Sequence, residues 1–125
     1  MRAETQQALV LVVEDDPGVR RFIVDSLQML GYAVIEACDG RQGLERLSAE
    51  RPELLIVDFA MPGLNGVEVA AKARGLAPEM PIILATGYAD MEAVYKVIDP
   101  DHVLRKPFQI DDLERAVRGA LVGAV

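Results

Sequence analysis

A short apolar run that ends in a carboxylate constrains the fold of this chain more than any other feature. Residues 54–57 are four consecutive apolar residues, and Asp58 follows at once. Such a run, without polar alternation, is typical of a strand buried on both faces, as in the centre of a parallel sheet. Pro62 and Gly63 then turn the chain away, so Asp58 is expected at the tip of a rigid element. Asp is also a common cap of loops, and this stretch alone leaves both interpretations open.

The same pattern recurs along the chain and predicts the fold class. Runs of strand length occupy residues 8–13, 32–37, 54–57, 81–85 and 102–104, and apolar residues at helical spacing occupy residues 17–30, 41–50, 66–74, 91–98 and 110–121. Asp16 is placed to cap the first helix and Gly31 to stop it. Strands that alternate with helices in this way predict an α/β fold with a doubly wound, five-stranded parallel sheet and five helices.

Two helices allow a prediction of which side chains face the sheet. In the first helix the inward residues are expected to be Val19, Phe22, Ile23, Ser26, Leu27 and Leu30, and Arg20, Arg21, Asp25 and Gln28 are expected to face outward. In the third helix the inward residues are expected to be Val67, Ala70 and Ala71. Their small size would allow close packing on the sheet.

Composition indicates one globular domain over residues 1–125, with a loose N-terminus at 1–7. The chain is 51% apolar and 26% charged, and 13 basic residues against 20 acidic ones give a net charge of −7. This charge disfavours direct binding to nucleic acid or to an anionic membrane. Cys38 is the one cysteine, and no apolar run approaches the roughly 20 residues of a membrane span. A reducing, cytoplasmic location is therefore predicted.

Reactive side chains follow four of the five predicted strands. Glu14 and Asp15 follow the first strand, Asp58 the third, Thr86 the fourth and Lys106 the fifth. Parallel strands bring their carboxyl ends to one edge of the sheet, where ligands bind in such folds. Each residue also has an ordinary explanation, since acids cap helices, Thr ends strands and Lys pairs with Asp. Their joint placement favours a functional site.

The chemistry of these groups indicates a phosphate site with a magnesium ion. Three carboxylates at one edge repel one another, so either their pKa values rise or a cation neutralises them. Only oxygen ligands are offered, which suits Mg²⁺ better than a soft metal. Lys106 and Thr86 suit phosphoryl oxygens, and Asp is a known phosphoryl acceptor.

These motifs, taken in order, resemble the receiver domain of bacterial two-component response regulators. The resemblance covers about residues 8–122 and is carried by Val12-Val13-Glu14-Asp15-Asp16-Pro17, by Asp58 with Met61-Pro62-Gly63 and Gly66, by Ala85-Thr86-Gly87 and by Lys106-Pro107-Phe108. It implies a flavodoxin-like sheet in the strand order 2-1-3-4-5, in which the second strand supplies no residue to the site.

The resemblance also implies a role for each site residue. Asp58 would be the phosphoacceptor, and a sensor histidine kinase or phosphotransfer protein would be the donor. Mg²⁺ would be held by Glu14, Asp15, Asp58 and the backbone carbonyl of Ala60. Thr86 would move to the phosphoryl group, and Lys106, joined to Pro107 by a cis peptide bond, would pair with it. The output would be a downstream protein target or a homodimer, and the domain would catalyse only its own phosphorylation and dephosphorylation.

Two departures from the family pattern concern the output. Val103 stands where the family usually has an aromatic switch residue, and Thr86 and Lys106 are closer in sequence than in many receivers. Alternative functions also stay open. One is a phosphohydrolase with an aspartyl nucleophile, although Ala60 stands where its second acid is expected. Another is a nucleotide or flavin binder, although the first loop is acidic. The third is an interaction module that works without phosphorylation.

Overall fold

The computed structural model describes residues 8–87 and 103–123. The strands of these residues are β1 (Leu9–Val13), β2 (Ala33–Ala37), β3 (Leu54–Asp58), β4 (Ile82–Thr86) and β5 (Val103–Arg105). Their helices are α1 (Pro17–Met29), α2 (Gly40–Glu50), α3 (Gly66–Leu76) and α4 (Ile110–Gly123). The helix predicted at residues 91–98 lies outside this part of the chain. Within the described residues, no helix combines the length and the apolar character needed to cross a membrane.

The strands form one parallel sheet in the order β2-β1-β3-β4-β5. This confirms the predicted doubly wound sheet and its strand order. From β1 the chain moves outward to β2, and from β3 it moves outward in the opposite direction to β4 and β5. The direction therefore changes between β1 and β3. In such a sheet a crevice opens at this point, beyond the carboxyl ends of the two strands.

Two apolar layers hold the sheet between them. Every residue of β3 and β4 is buried, as expected for central strands of a parallel sheet. Successive side chains of a strand point to opposite faces. Leu55 and Val57 accordingly belong to a core cluster shared with α2 and α3, whereas Leu54 and Ile56 belong to a cluster shared with α1 and α4. The carboxyl ends of the strands are thereby fixed from both sides.

Local signals in the sequence set the ends of the helices. The Asp16 carboxylate accepts two backbone N–H groups of the first turn of α1, at 2.8 and 3.1 Å, which confirms it as the N-cap. Asp39 and Asn65 cap α2 and α3 in the same way. After α1, Gly31 has a φ of +99°, a left-handed conformation that suits glycine and ends the helix.

The inner face of α1 differs from the prediction at one side. Ile23, Ser26 and Leu27 are buried as predicted, and Val24 is buried with them. Phe22, predicted to face the sheet, is 42% exposed. The buried stripe is centred on Ile23 and Leu27, so Phe22 lies at its edge. There its ring contacts Phe108, with the ring centroids 6.0 Å apart.

The inner face of α3 is also rotated relative to the prediction. Its buried residues are Gly66, Val69, Ala70 and Ala73, whereas Val67 is half-buried and Ala71 is exposed. The spacing of the buried set is helical and begins at Gly66. The contact of this glycine with the sheet thus determines which face of α3 is buried.

Gly66 touches the segment that presents Asp58. A β-carbon at Gly66 would lie 2.5 Å from the carbonyl oxygen of Asp58 and 2.7 Å from the α-carbon of Phe59. Both are backbone atoms, so neither can move aside without moving the strand end. The Gly66 N–H also donates to the Phe59 carbonyl at 2.9 Å. Only glycine permits α3 to begin this close to β3.

We expect Gly66→Ala to lower the free energy of unfolding by about 1–3 kcal/mol, because the added methyl group overpacks the contact with the Asp58 backbone. Urea denaturation measures this change. Gly75→Ala in the same helix is the control, since a β-carbon there would meet nothing within 4 Å. The control should be neutral or stabilising by up to about 1 kcal/mol. A Gly66→Ala variant as stable as wild type would contradict the close packing.

Candidate functional site

The carboxyl ends of β1 and β3 bring three carboxylates together. The two strands pair up to Val13 and Val57. The residues that follow, Glu14 and Asp58, therefore lie side by side, and Asp15 is next along the chain. One oxygen from each of the three carboxylates lies within 4.8 Å of the other two. The structure thus brings together the acids that the sequence predicted.

Lys106 joins this cluster from the end of β5. Its Nζ lies 2.6 Å from Oδ1 of Asp58 and 3.0 Å from Oε1 of Glu14. Its backbone N–H donates to the carbonyl of Thr86 at 2.9 Å, which anchors the lysine beside β4. The Lys106–Pro107 peptide bond is cis, as the resemblance implied. Two deeply buried acids therefore share a cation whose side chain is 26% exposed.

Thr86 and Ala60 lie beside the cluster. Thr86 is the last residue of β4 and is buried. The register of β3 and β4 pairs Asp58 with Ala85, so Thr86 extends one position further along the same edge. Ala60, whose carbonyl was predicted to bind the cation, lies in the exposed loop two residues after Asp58.

Burial and charge perturb the ionisation of three site residues. Burial raises the pKa of Asp58, and the charge of Asp15 adds to this, while the hydrogen bond from Lys106 opposes it. Burial also raises the pKa of Glu14, against hydrogen bonds from the Asp16 N–H and Lys106. Burial acts to lower the pKa of Lys106, but its bonds and charge interactions with Asp58 and Glu14 outweigh this and raise it. The acids are thus costly to ionise, and the lysine is held in its charged form.

Strand β2 supports the site indirectly, which the sequence did not predict. Arg20, predicted to face outward, donates from Nη1 to the carbonyl of Glu14 at 2.8 Å and from Nε to Oε1 of Glu36 at 3.1 Å. The Ala37 carbonyl accepts the Glu14 N–H at 3.1 Å. The sequence contained one signal for this support. Glu36 is an acidic residue one position from the end of a short apolar strand. It indicated a charged partner near this edge.

Comparison with known proteins identifies the family. Residues 10–118 match the family model of the response regulator receiver domain. The chain belongs to this family. The response regulator receiver protein CpdR of Brucella abortus is 34% identical over 122 residues, which cover 92% of this chain and 98% of that protein. The chain spans about half the length, 50%, of a mycobacterial response regulator to which it is also similar.

Solved receiver structures share the fold over nearly the whole chain. A receiver domain protein from Methanospirillum hungatei gives a TM-score of 0.88 at 28% identity and covers 95% of this chain and 97% of its own. The response regulator TrrA of Thermotoga maritima, solved in complex with Mg²⁺-BeF, gives a TM-score of 0.84 at 30% identity and covers 92% of this chain and 100% of its own. The family resemblance is therefore confirmed. Receiver domains are signalling domains of two-component systems rather than classical enzymes.

The raised pKa of Asp58 predicts how stability depends on pH when a chelator removes divalent cations. Since the folded pKa lies above the unfolded one, this carboxyl stabilises the fold below its unfolded pKa, and the stabilisation is lost as pH rises through the folded pKa. Asp58→Asn cannot ionise and escapes that loss. We expect its urea midpoint to exceed that of wild type at about pH 8, and the difference to shrink towards about pH 4.

The matched control is Asp25→Asn. The Asp25 side chain is 58% exposed and pairs with Arg21 on the surface of α1. Its removal should change stability by less than about 0.5 kcal/mol across the same range. An Asp58→Asn variant less stable than wild type at about pH 8 would show that the bond to Lys106 outweighs the cost of burying the acid.

Proposed function

We propose that Asp58 accepts a phosphoryl group from a phosphohistidine of a sensor histidine kinase or phosphotransfer protein, with the help of Mg²⁺. The observation that carries this proposal is the 2.6 Å contact of Lys106 with Asp58 beside two further carboxylates. Phosphoryl transfer depends chiefly on positioning and charge neutralisation. A buried nucleophilic acid, oxygen ligands for a cation and a lysine are groups suited to that task.

The donor set fits a magnesium ion. Mg²⁺ takes oxygen ligands, carboxylates among them, at about 2.1 Å. The three carboxylate oxygens lie within 4.8 Å of one another, close enough to bind a single ion together. Glu14, Asp15, Asp58 and the Ala60 carbonyl would hold the ion. When bound, Mg²⁺ would neutralise the acids and the oxygens of the incoming phosphoryl group.

The residues of the chain have distinct parts in the proposed transfer. A carboxylate oxygen of Asp58 attacks the phosphorus, and an O–P bond forms as the N–P bond of the phosphohistidine breaks. The electron pair stays on the imidazole nitrogen, which takes up a proton. Lys106 favours the ionised form of Asp58 and offers N–H donors to the phosphoryl oxygens. The Thr86 hydroxyl, at the end of the neighbouring strand, is a second donor.

Two rival functions have less support from the site. A phosphohydrolase would need a general acid near the nucleophile, and Ala60 has no polar side-chain atom at the expected position. A phosphate cradle would need free N–H groups at the start of α1. Those of Gly18 and Val19 already bind the Asp16 carboxylate. An interaction module without phosphorylation is the remaining alternative, and the first experiment below decides it.

We place the proposed output near β5, where a downstream protein or a second copy of this chain would bind. Val103 pairs with Leu84 and packs against the core, so no aromatic ring is available at this position. Thr86 pairs with Arg105 on the same two strands. A movement of Thr86 towards a phosphoryl group would therefore act on β5 through the backbone. The single domain over 1–125, the cytoplasmic location and the lack of direct nucleic-acid or membrane binding stay predictions.

An apolar groove next to Lys106 supports a protein as the phosphodonor. The groove has a volume of about 430 Å³ and is lined by Gly18, Val19, Phe22, Lys106, Pro107 and Phe108. Phe22 is 42% exposed, and with Val19, Pro107 and Phe108 it forms an apolar patch open to solvent. Because Lys106 contacts Asp58, a partner seated here stands directly next to the phosphoacceptor. We propose that the donor protein docks at this groove.

We expect wild-type protein to gain one base-labile phosphate from acetyl phosphate in the presence of Mg²⁺, and none in chelator. Intact-mass spectrometry measures the modification. Asp58→Asn should gain none because it lacks the nucleophile, whereas Asp111→Asn, at an exposed position of α4, should behave as wild type. Labile phosphate on Asp58→Asn would refute the assignment. An unmodified wild type would favour the interaction module.

We expect Phe22→Ser to slow phosphotransfer from a phosphohistidine donor protein by about 10-fold or more, because loss of a central aromatic contact often costs over about 1 kcal/mol. Phosphorylation by acetyl phosphate should be unchanged. Radiolabel transfer at limiting donor concentration gives the rate. Met29→Ser is the control, since Met29 is 75% exposed at the far end of α1. Equal transfer rates for Phe22→Ser and wild type would exclude the groove as the docking site.

A further inference from the structure

Glu14 is held by hydrogen bonds on every polar group. Its N–H donates to the Ala37 carbonyl at 3.1 Å, and its carbonyl accepts from Arg20 at 2.8 Å. One carboxylate oxygen accepts from the Asp16 N–H at 3.1 Å, and the other from Lys106 at 3.0 Å. The residue is only 1% exposed. These four bonds fix the backbone and the side chain of Glu14, and Asp15 is the next residue along the same loop.

Arg20 makes one of these bonds from outside the acid cluster. Within the described residues its ion pair is with Glu36 of β2, at 3.1 Å, and not with an acid of the site. The Arg20 side chain is 21% exposed, so it is partly enclosed between α1 and β2. The planar guanidinium donates to the Glu14 carbonyl and to the Glu36 carboxylate at the same time, a geometry that lysine cannot reproduce.

We propose that Arg20 is a positioning residue for cation binding, with Glu36 as its anchor. By fixing the carbonyl of Glu14, Arg20 sets the orientation of the loop that carries Glu14 and Asp15. That orientation in turn sets how tightly the two acids and Asp58 bind a divalent cation. The inference rests on the magnesium site proposed above, and it adds a residue that offers no ligand atom of its own.

The sign of the effect separates positioning from simple charge. Arg20 is a cation near three acids, so removing its charge would by Coulomb's law favour Mg²⁺ binding. If Arg20 positions the loop, its removal weakens Mg²⁺ binding despite that gain. Arg20→Met tests this, because methionine keeps much of the apolar stem and provides no donor. Supports of metal ligands typically contribute about 10–100-fold to affinity, enough to outweigh one solvent-screened charge.

The first measurement is the dissociation constant for Mg²⁺, from backbone amide shifts during titration with MgCl₂. We expect Arg20→Met to raise it about 10-fold, Arg20→Lys to raise it less, and Glu36→Gln to raise it in the same direction. The double variant should be no weaker than Arg20→Met alone, since the two residues act as one unit. The control Arg21→Met changes a side chain that is 65% exposed and should bind Mg²⁺ within about twofold of wild type.

The second measurement needs no metal. In chelator, the amides of Glu14 and Asp16 should exchange with solvent about 10-fold faster in Arg20→Met than in Arg21→Met, because the loop has lost its anchor. Unchanged exchange, or equal or tighter Mg²⁺ binding in Arg20→Met, would overturn the proposal. A wild type that binds no Mg²⁺ would refute the cation site. The loop exchange would then still decide whether Arg20 positions the acids.

Discussion

The contact of Lys106 with Asp58 and Glu14 is the interaction on which the site depends. Both acids are almost fully buried, and a buried carboxylate is costly unless a partner compensates it. Lys106 brings one positive charge to a cluster of three carboxylates. The cluster is therefore short of positive charge, which favours the divalent cation of the proposed function. In the proposed function, the same imbalance that costs stability prepares the site for Mg²⁺.

The sheet converts separate segments of the chain into this cluster. Register between β1 and β3 places Glu14 beside Asp58, and register between β3 and β4 places Thr86 one step beyond it. Apolar layers on both faces of the sheet hold the strand ends in position, and Gly66 allows α3 to pack against the Asp58 backbone. Arg20, together with Glu36 of β2, fixes the loop that carries Glu14 and Asp15. Fixed dipoles and charges are effective because they need little reorganisation when charge develops.

Much of this could be predicted from local signals. Apolar runs predicted the strands because a strand buried on both faces is apolar along most of its length. Asp16 and Gly31 marked helix ends because capping is a local hydrogen-bond requirement. The orientation of α3 could not be predicted, since several small residues allowed more than one inward face. Phe22 was misplaced for a related reason. A helix shows which residues can face inward, while its neighbours determine which of them do.

The sequence by itself determined the fold class, the strand ends and the identity of the acids and Lys106, because each depends on patterns within a few residues of one another. Tertiary structure alone decided three contacts. Arg20 donates to the Glu14 carbonyl and to Glu36, and the Phe22 ring contacts Phe108. Lys106 forms ion pairs with Asp58 and Glu14. A long charged side chain has many partners within reach along the chain. Only the packed arrangement of strands and helices reduces them to the two that Arg20 and Lys106 each bind.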